Sequence, residues 1–179
     1  MNQEIIISGL GGQGVLSMGQ LLAYASIHEE KHVSWLPSYG AEQRGGSATC
    51  AIVISDEPVG SMIVSKPTSA IVLDNSAYDR LESKVASNGL LLVNTSLINR
   101  KSTRMDIDII EIDATKLANE LGNQKIANMI LLGAYISKTN ILKFESIIES
   151  LKKVLGPHKQ GLIEINEKAL QVGNNLVKI

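Results

Sequence analysis

The stretch IIISGLGGQGVLSMGQLL, from Ile5 to Leu22, sets the architecture of the amino-terminal part of the chain. It begins as a short β-branched strand, passes through a glycine-rich loop, and continues with apolar residues at the three- and four-residue spacing of a helix. The glycines at positions 9, 11 and 14 fit the spacing G-x-G-x-x-G, which is typical of a strand-to-helix turn that binds a dinucleotide. The loop could hold a nucleotide, hold another anion, or serve only as a tight turn.

The rest of the chain continues this alternation of short apolar strands and amphipathic helices. After the helix Gly14–His28, a second strand is predicted at Val33–Leu36, and such a strand–helix–strand unit normally has parallel strands and a right-handed crossover. Further strands are predicted at Ser47–Ile54, at Val59–Val64 as its antiparallel partner, and at Ala70–Asp74, Leu90–Val93 and Ile107–Ile112. Further helices are predicted at Ser76–Ala86, Ala114–Leu121, Ile126–Ile136, Phe144–Leu155 and Leu162–Leu176.

These elements predict one domain spanning residues 1–179. Its fold class is α/β, with three α/β/α layers and a Rossmann-like, mostly parallel sheet that includes some antiparallel strand pairing. The helix Ile126–Ile136 is apolar nearly all round, which predicts burial either in the core or at a subunit interface. Asp74 ends a strand, and Asn75 or Ser76 is predicted to cap the helix that follows.

Composition and charge exclude several classes of protein. The 179 residues carry 17 basic and 18 acidic side chains, a net charge of −1, so an electrostatic nucleic-acid binder is not expected. The one compact basic run, Asn99–Arg104, has the character of a solvated loop. No apolar stretch reaches the ~18 residues needed to cross a bilayer, and no secretion signal is visible after Met1, so we expect a cytoplasmic protein without membrane contact.

Residues that usually bind metals or act as nucleophiles are scarce. Cys50 is the sole cysteine, so intramolecular disulfides and cysteine-ligated iron–sulfur clusters are excluded within this chain. Its place within a predicted strand favours a buried core residue over a nucleophile. His28 and His32 have i, i+4 spacing, but without a carboxylate or a third histidine nearby they indicate surface residues at a helix end. No catalytic Ser/His/Asp set, paired carboxylates or metal-ligand spacing is recognisable, so no metal site is predicted.

The first glycine loop has the chemistry of an anion-binding turn. Glycines let the backbone approach a ligand without a Cβ atom in the way, and the free N–H groups of the first helical turn favour a negative charge. A phosphate, a pyrophosphate or a carboxylate from another subunit would fit. A dinucleotide site would also need an acid at the end of the second strand, where the sequence instead has Pro37-Ser38-Tyr39, so NAD is not the expected ligand. The candidate binding residues are Gly9, Gly11, Gly12, Gln13 and Gly14.

A second unusual loop lies in PSYGAEQRGGSATC, from Pro37 to Cys50. It combines a carboxylate, an amide, a guanidinium and two flexible glycines, and arginine presents a planar fork suited to phosphate or carboxylate. Because it follows the second strand as the first loop follows the first strand, both are expected at the carboxyl edge of the sheet, where ligands usually bind. Its candidate binding residues are Glu42, Gln43, Arg44, Gly45 and Gly46, although Glu42 and Arg44 could instead pair with each other and brace the loop.

Together the two loops resemble the gamma subunit of 2-oxoacid:ferredoxin oxidoreductases. The segments that carry the resemblance are ISGLGGQGV, SYGAEQRGG, SATCAIVISDEPVGS and, at Ala127–Tyr135, ANMILLGAY. The same domain occurs fused within single-chain pyruvate:ferredoxin oxidoreductases and in the small subunit of indolepyruvate oxidoreductase. Within the family, GAEQRGG is more similar to the enzymes for 2-oxoglutarate or branched-chain oxoacids, such as ketoisovalerate, than to those for pyruvate.

The resemblance implies a role in the CoA-dependent oxidative decarboxylation of a 2-oxoacid to acyl-CoA, carbon dioxide and reduced ferredoxin. It implies that thiamine diphosphate, magnesium and the iron–sulfur clusters lie on partner alpha and beta subunits, with a ferredoxin-like delta subunit as a further partner, and that this chain alone binds no cofactor. The chain would have no catalytic residues, and its glycine loops would contact coenzyme A, substrate or a partner subunit at the active-site entrance. Two alternatives stay open: a free-standing Rossmann-like nucleotide-binding protein, and a subunit with a purely structural role in assembly.

Overall fold

The secondary structure follows the predicted alternation of strands and helices. A computed structural model describes residues 2–40, 45–155 and 161–177. Its strands are β1 (Asn2–Leu10), β2 (His32–Tyr39), β3 (Ser47–Ser55), β4 (Ser69–Val72), β5 (Leu90–Asn94) and β6 (Asp108–Ile112). Its helices are α1 (Val15–His28), α2 (Asn75–Leu81), α3 (Ala114–Glu120), α4 (Ala127–Thr139), α5 (Phe144–Leu155) and α6 (Ile163–Val177). A 3-10 turn at Glu82–Lys84 continues α2, and another at Gln124–Ile126 leads into α4.

The strands form one six-stranded sheet in the order β2-β3-β1-β4-β5-β6. β1, β4, β5 and β6 pair in parallel, whereas β3 is antiparallel to both β1 and β2. This confirms a mostly parallel sheet with some antiparallel pairing. β1 and β2 point in the same direction, as the strand–helix–strand pattern predicts, but β3 lies between them and separates their ends by one strand.

The strand predicted at Val59–Val64 is wrong. This segment belongs to the loop that joins β3 to β4, and its side chains Met62 and Ile63 are 54% and 78% exposed. Both edges of β3 are already paired, with β1 on one side and β2 on the other, so the expected hairpin partner has no edge to join. Pro58 and Gly60 also disfavour a strand at this point.

Side chains alternate between the two faces of the sheet and build a core on each. On β1, Ile5 and Ile7 point to a face that we call the helix-rich face, because α1, α3, α4, α5 and α6 pack on it. Ile6 points to the opposite face, which we call the α2 face, where α2 contributes the buried side chains Tyr78 and Leu81. The three predicted α/β/α layers are therefore present, with most of the helical mass on one side.

Helix α4 is a core helix. Every residue from Ala127 to Ile136 is buried within the chain, so its apolar surface is explained by the core and does not require a subunit interface. It packs against α6 at very short range through a glycine on each helix. A Cβ atom on Gly133 would lie 2.0 Å from the carbonyl oxygen of Leu170, and one on Gly173 would lie 1.8 Å from that of Ile130. Any side chain at either position would push the two helices apart.

Candidate functional site

The two glycine loops meet at the carboxyl edge of β1. The N–H of Gly11 donates a hydrogen bond to the carbonyl oxygen of Gly46 at 2.8 Å, and the N–H of Gly40 donates to that of Ser47 at 3.0 Å. Because β3 is antiparallel to β1 and β2, it begins at the edge where those strands end. The expectation that both loops share one edge is confirmed, and the pairing of β1 with β3 is what joins them.

The first loop turns through backbone conformations that side chains disfavour. Gly12 and Gly14 have φ angles of 96° and 76°, in the left-handed region. Gly14 is the N-cap of α1, and no side chain of the described residues caps this helix. The first N–H groups of α1 therefore need acceptors from outside the helix, and the helix dipole favours an anion there.

Gln13 folds back into the loop. Its Oε1 accepts a hydrogen bond from the N–H of Leu10 at 2.6 Å, and its Nε2 donates to the carbonyl oxygen of Leu73, just after β4, at 3.3 Å. Gly9 is packed against the same side chain, since a Cβ atom at this position would lie 2.4 Å from Gln13 Oε1. The structure thus gives Gln13 and Gly9 roles in bracing the loop, and their predicted contact with a ligand stays a prediction.

Asn128, at the start of α4, is a supporting residue that the sequence reasoning misses. It is 5% exposed, and its Nδ2 donates a hydrogen bond of 3.3 Å to the carbonyl oxygen of Gly14. A Cβ atom on Gly14 would lie 2.2 Å from this Nδ2. A larger residue at this position would therefore meet both a steric clash with Asn128 and an unfavourable φ angle. The sequence feature that could have indicated this role is an amide side chain at the start of an otherwise apolar helix, within the segment ANMILLGAY.

An open cleft of about 570 Å³ lies between the first turn of α1 and the start of β3. Leu16 and Ser17 from α1, Tyr39 from β2 and Ser47 from β3 line it together with Gly11 and Gly12. None of its described lining residues is charged, so the N–H groups at the start of α1 supply the local attraction for an anion.

The second loop is described only in part. Glu42, Gln43 and Arg44 lie outside the described residues. Gly45 is exposed and has a φ angle of 78°, and Gly46 is half-buried and lines the cleft. The ligand contacts expected of these five residues stay predictions.

A smaller cavity of about 170 Å³ lies on the other side of the first loop, near β5 and the start of α4. Gln13, Asn94, Thr115 and Asn128 are among its lining residues. Asn94 is 1% exposed; its Nδ2 donates to Thr115 Oγ1 at 3.0 Å, and its Oδ1 has no partner among the described residues. A buried amide oxygen in this state is an acceptor for a ligand or a water molecule. Because Gln13 borders it, this cavity belongs to the same candidate site.

Cys50 is a core residue, as its position in the strand predicts. It is fully buried, and its thiol donates to the carbonyl oxygen of Val15 at 3.5 Å. Burial raises the pKa of the Cys50 thiol to about 12. The thiolate, which is the form that attacks electrophiles and binds metals, is therefore not formed near neutral pH.

Asp74 is the residue that caps α2, so the prediction of Asn75 or Ser76 is wrong. The backbone of Asp74 is extended, and its carboxylate accepts a hydrogen bond from the N–H of Ala77 at 3.0 Å. Asn75 is already the first helical residue, and an N-cap side chain must come from the residue before it.

His28 and the arginines of the basic run contact carboxylates of the same chain. His28 lies 2.9 Å from Glu149 at the surface. In the basic run, Arg100 pairs with Asp79 at the surface, as expected for a solvated loop. Arg104 is half-buried, pairs with Asp106 and donates hydrogen bonds to the carbonyl oxygens of Glu82 and Val85, so this end of the run is anchored to the fold. In residues 2–40, 45–155 and 161–177, no group of three or more His, Cys, Asp and Glu side chains could hold a metal ion. Over the same ranges, no helix has the length and apolar character of a membrane span.

The chain matches a known family along nearly its whole length. The family described as pyruvate ferredoxin/flavodoxin oxidoreductase covers residues 4–176. The chain belongs to this family. The resemblance to the gamma subunits of the family is confirmed by relatives and by a solved structure.

Three proteins illustrate the match. The chain is 36% identical to the ketoisovalerate oxidoreductase subunit VorA of Methanothermobacter marburgensis, over 95% of this chain but 35% of VorA. It is 34% identical to the 2-oxoglutarate synthase subunit KorC of Methanocaldococcus jannaschii, over 99% of this chain and 95% of KorC. The gamma subunit of the keto/oxoacid ferredoxin oxidoreductase from Geobacter sulfurreducens PCA has a similar structure, with a TM-score of 0.84 and 28% identity over 98% of this chain and 95% of that one.

The sheet order also separates this fold from a dinucleotide-binding Rossmann domain. In that domain the second strand lies beside the first, and an acid at its end reaches the ribose. Here β3 lies between β1 and β2, so Tyr39 at the end of β2 is one strand away from the glycine loop. With the family established, a free-standing nucleotide-binding protein is not favoured.

Proposed function

We propose that this chain is the gamma-type subunit of a cytoplasmic 2-oxoacid:ferredoxin oxidoreductase. The complex would convert a 2-oxoacid and coenzyme A into acyl-CoA, carbon dioxide and reduced ferredoxin. The observation that carries the proposal is the family match over residues 4–176, which includes a 2-oxoglutarate synthase subunit matched over 95% of its own length. We assign 2-oxoglutarate or a branched-chain oxoacid as substrate on the basis of the loop sequence GAEQRGG, while relatives named for 2-oxoglutarate, ketoisovalerate and pyruvate are all among the matches.

The catalytic cofactors of such a complex do not fit this chain. An iron–sulfur cluster needs several thiolate ligands, whereas the chain has one cysteine, which is buried and protonated at neutral pH. Among the residues that the structure describes, no group of three or more His, Cys, Asp and Glu side chains could hold a metal ion. We therefore assign thiamine diphosphate, magnesium and the clusters to alpha, beta and ferredoxin-like delta subunits, and no catalytic residue to this chain.

Within the complex, we assign the two glycine loops to the entrance path of coenzyme A. Coenzyme A carries a pyrophosphate and a further phosphate, and the uncapped N-terminus of α1 beside the cleft suits such an anion. In the sequence, Glu42, Gln43 and Arg44 come between Tyr39 and Gly46, which line this cleft, and we expect them to contact coenzyme A, the oxoacid or a partner subunit.

Affinity purification of the tagged chain from its native cell tests membership in the complex. We expect partner subunits that carry thiamine diphosphate and iron–sulfur clusters, and a preparation that reduces ferredoxin when supplied with a 2-oxoacid and coenzyme A. Isothermal calorimetry of the isolated chain with NAD and NADP tests the alternative of a free-standing nucleotide-binding protein. Tight binding of either nucleotide, with no cofactor-bearing partner recovered, would contradict the proposal.

Arg44→Ala in the assembled complex tests the role of the second loop. Loss of a charge-assisted hydrogen bond to coenzyme A should raise the KM for coenzyme A by about tenfold. Arg100→Ala is the matched control, because Arg100 is an exposed arginine whose partner is Asp79 of the same chain. If Arg44→Ala leaves both KM values and subunit assembly unchanged, the loop has no such role. If it lowers assembly alone, the purely structural alternative is supported.

A further inference from the structure

Arg80, on α2, reaches across the sheet without forming an ion pair. Its Nη2 donates hydrogen bonds to Ser8 Oγ at 2.5 Å and to Thr49 Oγ1 at 3.3 Å. The Ser8 side chain is fully buried, and its hydroxyl lies 2.7 Å from Thr49 Oγ1. Of the arginines that the structure describes, Arg100 and Arg104 pair with aspartates, whereas Arg80 meets no carboxylate in the described ranges.

The guanidinium of Arg80 borders an open part of the sheet. Helix α2 packs over β4 and β1, and α1 packs on β2 and β3 from the helix-rich face. On the α2 face, Ser38 of β2 is exposed and Thr49 of β3 is half-buried. Leu36 on β2 is opposite Ala51 on β3, and both point to this face; Leu36 is 41% exposed and Ala51 is half-buried. We call this region the Arg80 surface, and it consists of Ser8, Leu36, Ser38, Thr49, Ala51 and Arg80.

We propose that the Arg80 surface docks a partner subunit that presents a carboxylate to Arg80 and an apolar side chain to Leu36 and Ala51. The proposal rests on the function proposed above, because it requires an assembled complex. Two hydroxyls hold the guanidinium in place through Nη2, and its Nε and Nη1 retain N–H donors for a carboxylate. A cation covered by a partner must be paired, since burying an unpaired charge is very unfavourable.

The length of VorA supports a protein partner on this domain. In VorA the matching region is 35% of the chain, so in that relative the domain is joined to a larger remainder of the same polypeptide. Arginine is also enriched where subunits meet, and Arg80 lies at the edge of an open part of the sheet that carries the exposed side chain of Leu36.

Arg80→Glu in the native complex tests the proposal. The tagged wild-type chain, Arg80→Glu and the matched charge reversal Lys116→Glu are expressed in the native cell, and the partner subunit retained per tagged chain is measured over a dilution series. Lys116 is an exposed lysine on α3. We expect Arg80→Glu to weaken retention by about 30-fold, the cost of removing one partner of a buried charge pair, and Lys116→Glu to retain the wild-type amount.

Two further measurements decide the outcome if Arg80→Glu unfolds the chain. Leu36→Glu changes a side chain that is 41% exposed, so the fold should persist while retention of the partner falls. Hydrogen exchange of the wild-type chain should show residues 32–39 protected in the complex relative to the isolated chain.

Three outcomes would overturn the docking proposal. The first is that Arg80→Glu and Leu36→Glu retain as much partner subunit as Lys116→Glu does. Intact assembly with a raised KM for coenzyme A is another, because Arg80 would then bind a small anion. Failure of the wild-type chain to retain any cofactor-bearing partner would overturn the proposed function as well, which distinguishes the two failures.

Discussion

The N–H of Gly11 lies 2.8 Å from the carbonyl oxygen of Gly46 and donates a hydrogen bond to it, so the two glycine loops form one structural unit. Gly11 follows β1 and Gly46 immediately precedes β3. The strand order creates this contact, because an antiparallel β3 starts where β1 ends. A substitution in either loop should therefore be tested for its effect on stability as well as on coenzyme A.

Gly14→Ala should destabilise the chain far more than Gly12→Ala. Both positions have positive φ, which costs an alanine about 1 kcal/mol. A Cβ atom at Gly12 meets nothing within 4 Å, whereas one at Gly14 lies 2.2 Å from Asn128 Nδ2. We expect losses of about 1 kcal/mol for Gly12→Ala and about 3 kcal/mol for Gly14→Ala in the free energy of unfolding, measured with urea.

An Asn128→Ala background provides the control for this pair. Without the amide, Gly14→Ala should cost little more than Gly12→Ala, because only the unfavourable φ remains. An equal cost of Gly14→Ala in both backgrounds would show that the clash with Asn128 is not the cause.

Gln13→Met should lower stability, because Gln13 connects the loop to β4. The substitution removes the acceptor for the N–H of Leu10 and the donor to the carbonyl oxygen of Leu73. We expect the free energy of unfolding to fall by about 1–2 kcal/mol. Gln171→Met on the exposed side of α6 is the control and should be near neutral. Unchanged stability with a raised KM for coenzyme A would instead make Gln13 a ligand contact.

Gly173→Ala should be among the most damaging single-methyl additions in the chain. The new Cβ atom would lie 1.8 Å from the carbonyl oxygen of Ile130. This clash is with backbone, which cannot move aside as the end of a flexible side chain can. We expect a loss of about 3 kcal/mol or more in the free energy of unfolding. Gly60→Ala is the matched control, since its Cβ atom meets nothing within 4 Å and its φ is not in the left-handed region. Similar melting temperatures for the two variants would show that α4 and α6 can separate without cost.

The predictions that succeed from the sequence rest on local signals. The strand before the glycines, the helix after them and the stripe of α5 depend on spacing within a few residues, and all three are present. Val59–Val64 has an equally apolar composition, but whether it becomes a strand depends on a free edge of β3. That edge is taken by β2, and strand order is not visible in the periodicity of either segment.

The site is predictable as a location but not as a set of contacts. The two loops follow strands, so their shared edge can be inferred. The supports of the loop come from distant parts of the chain: Leu73 is 60 residues from Gln13, and Asn128 is 114 residues from Gly14. The contacts of Arg80 could not be predicted from the sequence, because it is the sheet register that brings Ser8 and Thr49 together beneath it.

Stability should fall above pH 9 because of Cys50. Burial raises the pKa of its thiol from an ordinary value of 9.0 to about 12 in the folded chain. Below pH 9 the thiol is protonated in both states. Between pH 9 and 12 only the unfolded chain releases the proton, so unfolding becomes more favourable as the pH rises. At pH 10 we expect this to remove about 1 kcal/mol from the free energy of unfolding.

Cys50→Ala isolates this effect. The decrease in unfolding free energy from pH 8 to pH 10 should be smaller in the variant by about 1 kcal/mol, because it lacks the titrating thiol. The tyrosines are common to both proteins, so their contributions cancel in the comparison. Equal pH dependence in the two proteins would mean that the thiol ionises freely in the folded chain.

Because Gly173 lets α6 rest directly on the backbone of α4, the last described helix can support the start of α1 through α4. α4 begins with the segment that carries Asn128, and Asn128 holds the carbonyl oxygen of Gly14 at the mouth of the cleft. Helix α6 thus supports, through α4, the end of α1 that we propose binds an anion. Loosening it, by proteolysis or by mutation far from the cleft, should degrade the affinity of the site before the sheet itself unfolds.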